Sequence, residues 1–128
     1  MSDSEKKVLA RGQGASPGIA TGRIAFTSEE VVRLAGEGQD VIFVRVETEA
    51  EDTPGIRAAK GIVTTRGGLT SDAAIIARSL GKPCIAGCGS LVVSYVAQNV
   101  KVTGPEPRTL EKGEIITIDG AKGLVYEG

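Results

Sequence analysis

Alternating and β-branched apolar runs, separated by glycines, dominate the pattern of this chain. Residues 18–26 (GIATGRIAF) have the period-two pattern of a strand in an antiparallel pairing. Residues 40–46 (DVIFVRV) and 61–65 (GIVTT) are apolar enough to be central strands that are buried on both faces. Further strands are predicted at 84–87 and 100–103, with a closing hairpin over 114–120 and 123–128. The pattern predicts one compact, β-rich α/β domain.

Two shorter segments carry helix signals between these strands. Ser28, followed by EEVVRLAGEG, predicts an N-capped short helix that ends at Gly36 or Gly38. Residues 47–60 place acidic side chains early and basic side chains late, which favours a short helix. Pro54 is expected to break the middle of that helix.

The clearest helix follows three consecutive residues whose types favour the N-cap position, Thr70, Ser71 and Asp72. The sequence AAIIARSLGK continues from them, and its glycine, Gly81, is typical of a helix C-terminus. Pro83 then prevents the helix from resuming. The apolar positions of this helix are Ile75, Ile76 and Leu80.

Composition narrows the class of protein further. The 128 residues are 41% hydrophobic and 24% charged, which is the ordinary mix of a globular domain. A net charge of −1 argues against a general nucleic-acid or anionic-membrane surface, and no apolar run approaches the roughly 20 residues that span a bilayer. Residues 1–8 begin MSDSEKK, which lacks the apolar core of a signal peptide. We therefore expect a flexible polar tail over 1–8, a cytoplasmic location, and neither nucleic-acid nor membrane partners.

The chain contains no histidine. Its absence removes the commonest general base, the commonest metal ligand and any phosphohistidine intermediate. No cofactor and no metal ion are expected. Cys84 and Cys88 are four residues apart, which is neither the C-x-x-C redox spacing nor half of a zinc site. They are interpreted as two small, part-buried thiols that flank a strand end, with a local disulfide or a sensor thiol as the alternative.

One segment has the pattern of an anion cradle. A buried strand leads into Arg66, Gly67 and Gly68, and the predicted helix then begins among Thr70, Ser71 and Asp72. Glycines let backbone N–H groups approach a ligand, a helix N-terminus adds unsatisfied donors, and an arginine can bind phosphoryl oxygens. The P-loop motif is absent. A tight turn followed by an N-capped helix explains the same residues equally well.

The same segment resembles the phosphohistidine signature of the phosphoenolpyruvate-utilising enzymes, and most of all the pyruvate phosphate dikinases. That pattern runs T-x-R-G-G-[aliphatic]-T-S-H-A-A, then an amphipathic helix and G-K-P-C-[aliphatic]-x-G-C, and it is matched from Gly61 to Cys88. Residues 14–26, 41–61 and 110–128 also resemble the family's central mobile domain. The resemblance implies a single β/β/α swivelling domain over residues 1–128, with a glycine-rich loop that leads into a helix at about residue 72.

The sequence departs from the family pattern at the position of the phosphorylated residue. Where the family carries its phosphorylated histidine, this chain has Asp72. Four interpretations stay open: Asp72 is a helix N-cap in a non-catalytic relative, a permanent negative charge in place of phosphohistidine, an acyl-phosphate acceptor, or an engineered replacement. For acyl-phosphate formation, Glu47, Glu49, Glu51 and Asp52 are candidate ligands for an assisting metal ion.

Two neighbouring residues carry interpretations of their own. Thr70 occupies the position that is a regulatory phosphorylation site in the resembled dikinases, although capping the helix or binding backbone is the simpler role. Arg78 is either an anion ligand or a solvated helix charge. The predicted site is therefore Asp72 at the phosphoacceptor position, with Arg66, Gly67, Gly68, Thr70 and Ser71 as the anion-binding residues.

The resemblance, combined with the missing histidine, predicts a stand-alone relative of the phosphoryl-carrier domain that acts as a binding or regulatory module without catalysis of its own. The expected partner is a separately encoded nucleotide-binding domain or a phosphoenolpyruvate- or pyruvate-binding domain. The alternative is a carrier that uses Asp72 or Thr70, or a His-to-Asp variant of an active carrier.

Overall fold

The computed structural model describes residues 7–104 and 107–128. The described helices are α1 (Ser28–Gly36), α2 (Thr53–Ala58) and α3 (Asp72–Leu80), and a 3-10 turn, Ala50–Asp52, precedes α2. The described strands are β1 (Val8–Arg11), β2 (Gln13–Ser16), β3 (Ile19–Ala25), β4 (Val41–Arg45), β5 (Gly61–Thr64), β6 (Cys84–Ala86), β7 (Leu91–Ser94), β8 (Asn99–Val102), β9 (Arg108–Glu111), β10 (Ile115–Asp119) and β11 (Leu124–Glu127). The predicted α/β fold, with a glycine-rich loop leading into a helix at residue 72, is confirmed.

The strand order of the main sheet determines where the candidate site lies. Its order is β1-β11-β10-β3-β4-β5-β6-β2. Strands β3 to β6 are parallel, whereas β10 pairs antiparallel with both β3 and β11, so the predicted antiparallel partner of β3 and the closing hairpin are both present. Because parallel strands end at the same edge of a sheet, the loops that follow β4 and β5 lie side by side.

The two ends of this sheet are joined by one continuous segment. β1 pairs with β11 and β2 pairs with β6, although only Gly12 separates β1 from β2. The Gly12 N–H donates to the Gly123 carbonyl at 2.8 Å, and a Cβ at Gly12 would lie 2.7 Å from Ile85 Cγ2. Only glycine permits this close approach, so the sheet can curl until its ends meet.

A second sheet of three antiparallel strands, β7-β8-β9, covers part of the first. Of these strands, only the middle one was predicted from the sequence. Leu91, Val100, Val102 and Leu110 anchor the small sheet, since their side chains belong to the same buried cluster as Ile24 and Ile118 of the main sheet.

The main sheet separates two hydrophobic clusters. In β4, Ile42 and Val44 point into the cluster shared with the second sheet, whereas Val41 and Phe43 point toward the helices. All four side chains are buried, which confirms β4 as a central strand that is buried on both faces. The helix-side cluster takes Val31 from α1, Ile56 from α2, and Ala73, Ala74 and Ala77 from α3.

The structure corrects two details of the first two helices. The N-cap of α1 is Thr27, whose hydroxyl accepts a hydrogen bond from the Glu30 N–H, and not Ser28. The Ser28 hydroxyl instead accepts from the Gly55 N–H at 2.7 Å and ties α1 to α2. Pro54 lies in the first turn of α2, where its missing N–H costs nothing, so it helps to start the helix and does not break it.

Helix α3 exposes two of its three large apolar residues, whereas the third, Ile76, is partly buried against the helix-side cluster. Ile75 is 51% exposed and Leu80 is 37% exposed, whereas Ala73, Ala74 and Ala77 are fully buried. The helix packs against β2, β5, β6 and α2. Small side chains therefore line the helix face that lies against its neighbours, and size decides the orientation more than hydrophobicity does.

The predicted polar tail falls mostly outside the described residues. Residues 1–6 are not described, and Val8 already begins β1, so the tail does not extend to residue 8. Among the helices of residues 7–104 and 107–128, none is long and apolar enough to cross a membrane.

Candidate functional site

Four of the six predicted site residues line one recess. It lies between the loops that follow β4 and β5 and the N-terminus of α3, and its volume is about 200 Å³. Arg66, Thr70, Ser71 and Asp72 line one part of it, and its remaining lining consists of Glu47, Thr48, Thr64 and Ala73. The structure thus brings the predicted polar side chains together at the carboxyl-terminal edge of the parallel strands.

The two glycines shape the loop and do not line the recess. Gly67 has a φ of +89°, a conformation that glycine adopts without strain, and a Cβ there would lie 3.1 Å from Ser71 Cβ. A Cβ at Gly68 would meet only the side-chain oxygen of Gln13, at 3.5 Å. Within residues 7–104 and 107–128, the N–H groups of Gly67, Gly68, Leu69 and Thr70 donate no hydrogen bond. They are available to a ligand, as the cradle interpretation expects.

Ser71 is the residue that caps α3. Its hydroxyl accepts from the Ala74 N–H at 3.4 Å and donates to the Gly68 carbonyl at 2.8 Å. Asp72 is the first helical residue, so the interpretation of Asp72 as the N-cap is wrong. Capping by Thr70 is wrong as well, and among the described residues the Thr70 hydroxyl has no hydrogen-bond partner. Of the three adjacent residues that could cap α3, Ser71 does so. The side chains of Thr70 and Asp72 have no hydrogen-bond partner among the described residues.

Arg66 is fixed at its backbone and free at its side chain. Its N–H donates to the Val46 carbonyl at 2.9 Å, and its own carbonyl accepts from the buried Thr64 hydroxyl at 2.9 Å. Among the described residues, its guanidinium forms no hydrogen bond or ion pair. An anchored backbone with a free guanidinium suits a residue that reaches toward an anion.

Arg78 is an exposed residue of α3, as expected of a solvated helix charge, but its guanidinium also binds two backbone carbonyls. Its Nη1 donates to the Ala15 carbonyl at 3.0 Å and its Nη2 donates to the Leu69 carbonyl at 2.5 Å. One guanidinium therefore holds the loop before α3 against β2. Its role is to hold the glycine-rich loop in place through these two carbonyl contacts.

The acidic run after β4 is dispersed. Glu47 faces the recess, whereas Asp52 lies 3.6 Å from Arg45 Nε and accepts from the Glu49 N–H at 2.9 Å. A side-chain hydrogen bond with Glu51, together with the repulsion of that carboxylate, raises the pKa of Glu49. In the part of the chain that the structure describes, no group of three or more acidic, cysteine or histidine residues is placed to hold a metal ion.

Both cysteines are free thiols and fully buried. Cys84 begins β6 and Cys88 follows that strand, which confirms the interpretation of thiols at a strand end, although they are fully buried and not part-buried. Burial raises the pKa of Cys84 to about 12 and that of Cys88 to about 11. Because only the thiolate is a good nucleophile, neither is suited to act as a redox sensor.

Sequence reasoning missed three residues that line the recess. Glu47 was considered only as part of the acidic run, and Thr48 and Thr64 were not considered. The signal that could have found them is positional, since Thr64 ends β5 while Glu47 and Thr48 follow β4. Residues just beyond neighbouring parallel strands meet at one edge of the sheet.

Known proteins are similar to this chain over most of its length. The family described as "PEP-utilising enzyme, mobile domain" matches residues 37–123. A pyruvate, phosphate dikinase of Rhizobium meliloti (strain 1021) is 48% identical over 98% of this chain. Pyruvate, phosphate dikinase 1, chloroplastic, of Oryza sativa subsp. japonica is 45% identical over 95% of the chain, and the Clostridium symbiosum enzyme is 40% identical over 95%.

The chain spans only 13–14% of the length of those three dikinases. The NMR solution structure of an Enzyme I protein superposes with a TM-score of 0.46 and 28% identity, over 67% of this chain and 29% of that one. The family match covers more than half of the chain, and it includes the cradle and α3. The chain therefore belongs to the family of PEP-utilising enzyme mobile domains.

Proposed function

We propose that this chain keeps the fold and the cradle of a phosphoryl-carrier domain but acts as a binding or regulatory module and does not carry a phosphohistidine. The observation that carries the proposal is the composition of the site, because the chain has no histidine and Asp72 stands at the start of α3. The partner is a nucleotide-binding domain or a phosphoenolpyruvate- or pyruvate-binding domain.

The charges of the recess support a binding role over phosphoryl acceptance. Asp72 and Glu47 both line it, opposed by the single guanidinium of Arg66. A phosphoryl donor is itself an anion, so two carboxylates repel it and one arginine offsets only part of that repulsion. The recess is therefore a poor acceptor for a phosphoryl group and a good place to display a negative charge.

Asp72 is free to meet a partner. Among the described residues its carboxylate makes no hydrogen bond or ion pair, and its side chain is exposed. The N-terminus of α3 favours a negative charge at this position by about 0.3–1 kcal/mol. Asp72 accordingly offers a fixed negative charge where a phosphorylated carrier would present its phosphoryl group, and basic groups of the partner domain bind it.

The second candidate function is phosphoryl transfer through Thr70 or Asp72. The exposed Thr70 hydroxyl lines the recess without a hydrogen-bond partner among the described residues. That arrangement also suits the predicted role of Thr70 as a regulatory phosphorylation site. Both versions require a covalent phosphoryl group on this chain, whereas the binding module requires none.

Labelling separates the two candidates. The chain is incubated with labelled phosphoenolpyruvate, and separately with labelled ATP, in the presence of an active pyruvate phosphate dikinase. The binding module predicts no stable label on the chain. Label that is lost in Thr70→Val, or label that is lost in Asp72→Asn, would instead establish that residue as an acceptor.

Titration tests the binding role directly. The isolated partner domains of a pyruvate phosphate dikinase are titrated into the chain, and affinity is measured by calorimetry. Asp72→Asn should weaken binding about tenfold, because it removes a charge from a desolvated contact. Asp40→Asn is the matched control, since it removes an exposed carboxylate outside the recess. Equal affinities for the two variants would contradict a role for Asp72 in docking.

A further inference from the structure

A single side chain from the second sheet reaches the strand end that holds the cradle. Tyr95 follows β7 at the tip of the β7–β8 hairpin. Its hydroxyl oxygen accepts a hydrogen bond from the Val46 N–H at 2.8 Å, and the Arg45 guanidinium lies 4.8 Å from its ring centroid. Tyr95 thus contacts two consecutive residues at the carboxyl end of β4.

Those two residues are the ones that anchor the start of the glycine-rich loop. The Val46 carbonyl accepts from the Arg66 N–H at 2.9 Å, and the Arg45 carbonyl accepts from the Thr65 N–H at 3.0 Å. These bonds extend the β4–β5 pairing past the end of β5. The Tyr95 hydroxyl is therefore separated from Arg66 by one residue, Val46, which is hydrogen-bonded to both.

Tyr95 is not what attaches the second sheet to the main sheet. Its side chain is 41% exposed, whereas Leu91, Val100, Val102 and Leu110 are at most 4% exposed and hold the small sheet in the core. Arg45 also has its own contacts, since its Nη1 donates to the Phe26 carbonyl at 2.7 Å. The contact between Tyr95 and β4 can therefore be removed without unseating either sheet.

We infer that Tyr95 is a positioning residue for the cradle, which acts through Val46 to hold the backbone of Arg66 and so to aim its guanidinium at the recess. The inference rests on the proposed function, because the anion cradle to which Arg66 belongs is part of that proposal. The physical link from Tyr95 to Arg66 is independent of it and can be measured alone.

The first measurement is amide hydrogen exchange by NMR in the wild-type chain, Tyr95→Phe and Val96→Ala. Tyr95→Phe removes only the accepting oxygen and keeps the ring under Arg45. A neutral hydrogen bond corresponds to about a fivefold change in a local equilibrium, so exchange at Val46 and at Arg66 should accelerate about two- to fivefold. Val96, on the same tip and 99% exposed, is the matched control and should change neither amide. If Val46 accelerates while Arg66 does not, or if all of β7 and β8 accelerate equally, the inference is overturned.

The second measurement tests whether the link from Tyr95 to Arg66 affects phosphoryl acceptance at the site. In a chain that carries Asp72→His, the rate of phosphoryl acceptance from a pyruvate phosphate dikinase is compared with and without Tyr95→Phe. We expect the rate to fall about two- to fivefold with Tyr95→Phe and to stay unchanged with Val96→Ala. An unchanged rate despite faster exchange at Arg66 would overturn the positioning role. If Asp72→His accepts no phosphoryl group at all, the claim that the cradle is complete apart from its acceptor fails, and the exchange measurement still decides the link.

Discussion

Replacing Ser71 with alanine tests how the cradle is joined to α3. Ser71→Ala removes the hydroxyl that accepts from the Ala74 N–H and donates to the Gly68 carbonyl. Loss of an N-cap costs about 1 kcal/mol. The Gly68 carbonyl still accepts from the Ser71 N–H at 3.1 Å, so loss of its second bond adds only about 0.5 kcal/mol. We expect the free energy of unfolding to fall by about 1–2 kcal/mol.

Urea denaturation followed by circular dichroism measures this loss. Folded domains are typically stable by about 5–15 kcal/mol, so the variant stays folded. With an m-value of about 1.5 kcal/mol/M, the midpoint should fall by roughly 1 M while m stays the same. Ser71→Thr keeps a capping hydroxyl and should lose less than half as much. Ser79→Ala, on the same helix, removes an exposed hydroxyl that only donates to the Ile76 carbonyl and should cost little. Equal midpoints for Ser71→Ala and Ser79→Ala would refute the assignment of Ser71 as the cap.

Three further variants or measurements test the loop, its anchor and the buried thiols. Gly67→Ala forces an L residue to a φ of +89° and should cost about 1–2 kcal/mol, whereas Gly68→Ala meets only ordinary contact and should cost under about 0.5 kcal/mol; similar melting temperatures for the two would contradict this. Arg78→Met removes both carbonyl contacts and should lower the melting temperature by about 4–8 °C, while the control Arg57→Met changes it little. Because the pKa values of Cys84 and Cys88 are raised to about 12 and about 11, the folded state keeps both protons above pH 9 while the unfolded state loses them. Stability should therefore fall as pH rises from 9 toward 12, and at pH 8 a thiol reagent should modify the native chain no faster than it unfolds; rapid labelling of native protein would be inconsistent with this.

The boundaries of α3 could be predicted because its signals are local. Cap formers precede it and Gly81, at a φ of +69°, ends it. Which cap former takes the role could not be predicted, since Thr70, Ser71 and Asp72 are all competent and the choice depends on the turn that Gly67 makes. The buried face could not be predicted either, because Ile75 and Leu80 are more hydrophobic than Ala73 and Ala77 and yet are exposed. The close approach of the helix to β2 and β6 depends on tertiary packing, which the local sequence pattern does not report.

The site was predicted where its residues are neighbours in the sequence and missed where the fold joins distant residues. Arg66, Thr70, Ser71 and Asp72 lie within seven consecutive residues, which form the glycine-rich loop and the first residue of α3. Glu47 and Thr48 join them only because β4 and β5 are parallel neighbours. The contact between Tyr95 and Val46 spans two sheets, and no local pattern reports it. Strands β7 and β9 were missed because they are short and partly exposed.

We propose that Asp72 stands at the phosphoacceptor position of an otherwise complete cradle. The substitution Asp72→His is the direct test of this proposal. The substitution removes a favourable charge from the first turn of α3, which costs about 0.3–1 kcal/mol and leaves the domain folded. Parent and variant are incubated side by side with phosphoenolpyruvate and an active pyruvate phosphate dikinase, and intact-protein mass spectrometry counts the phosphoryl groups. We expect one acid-labile, base-stable phosphoryl group on the variant and none on the parent. A folded variant that stays unmodified, or a parent that becomes modified at Asp72, would contradict the proposal.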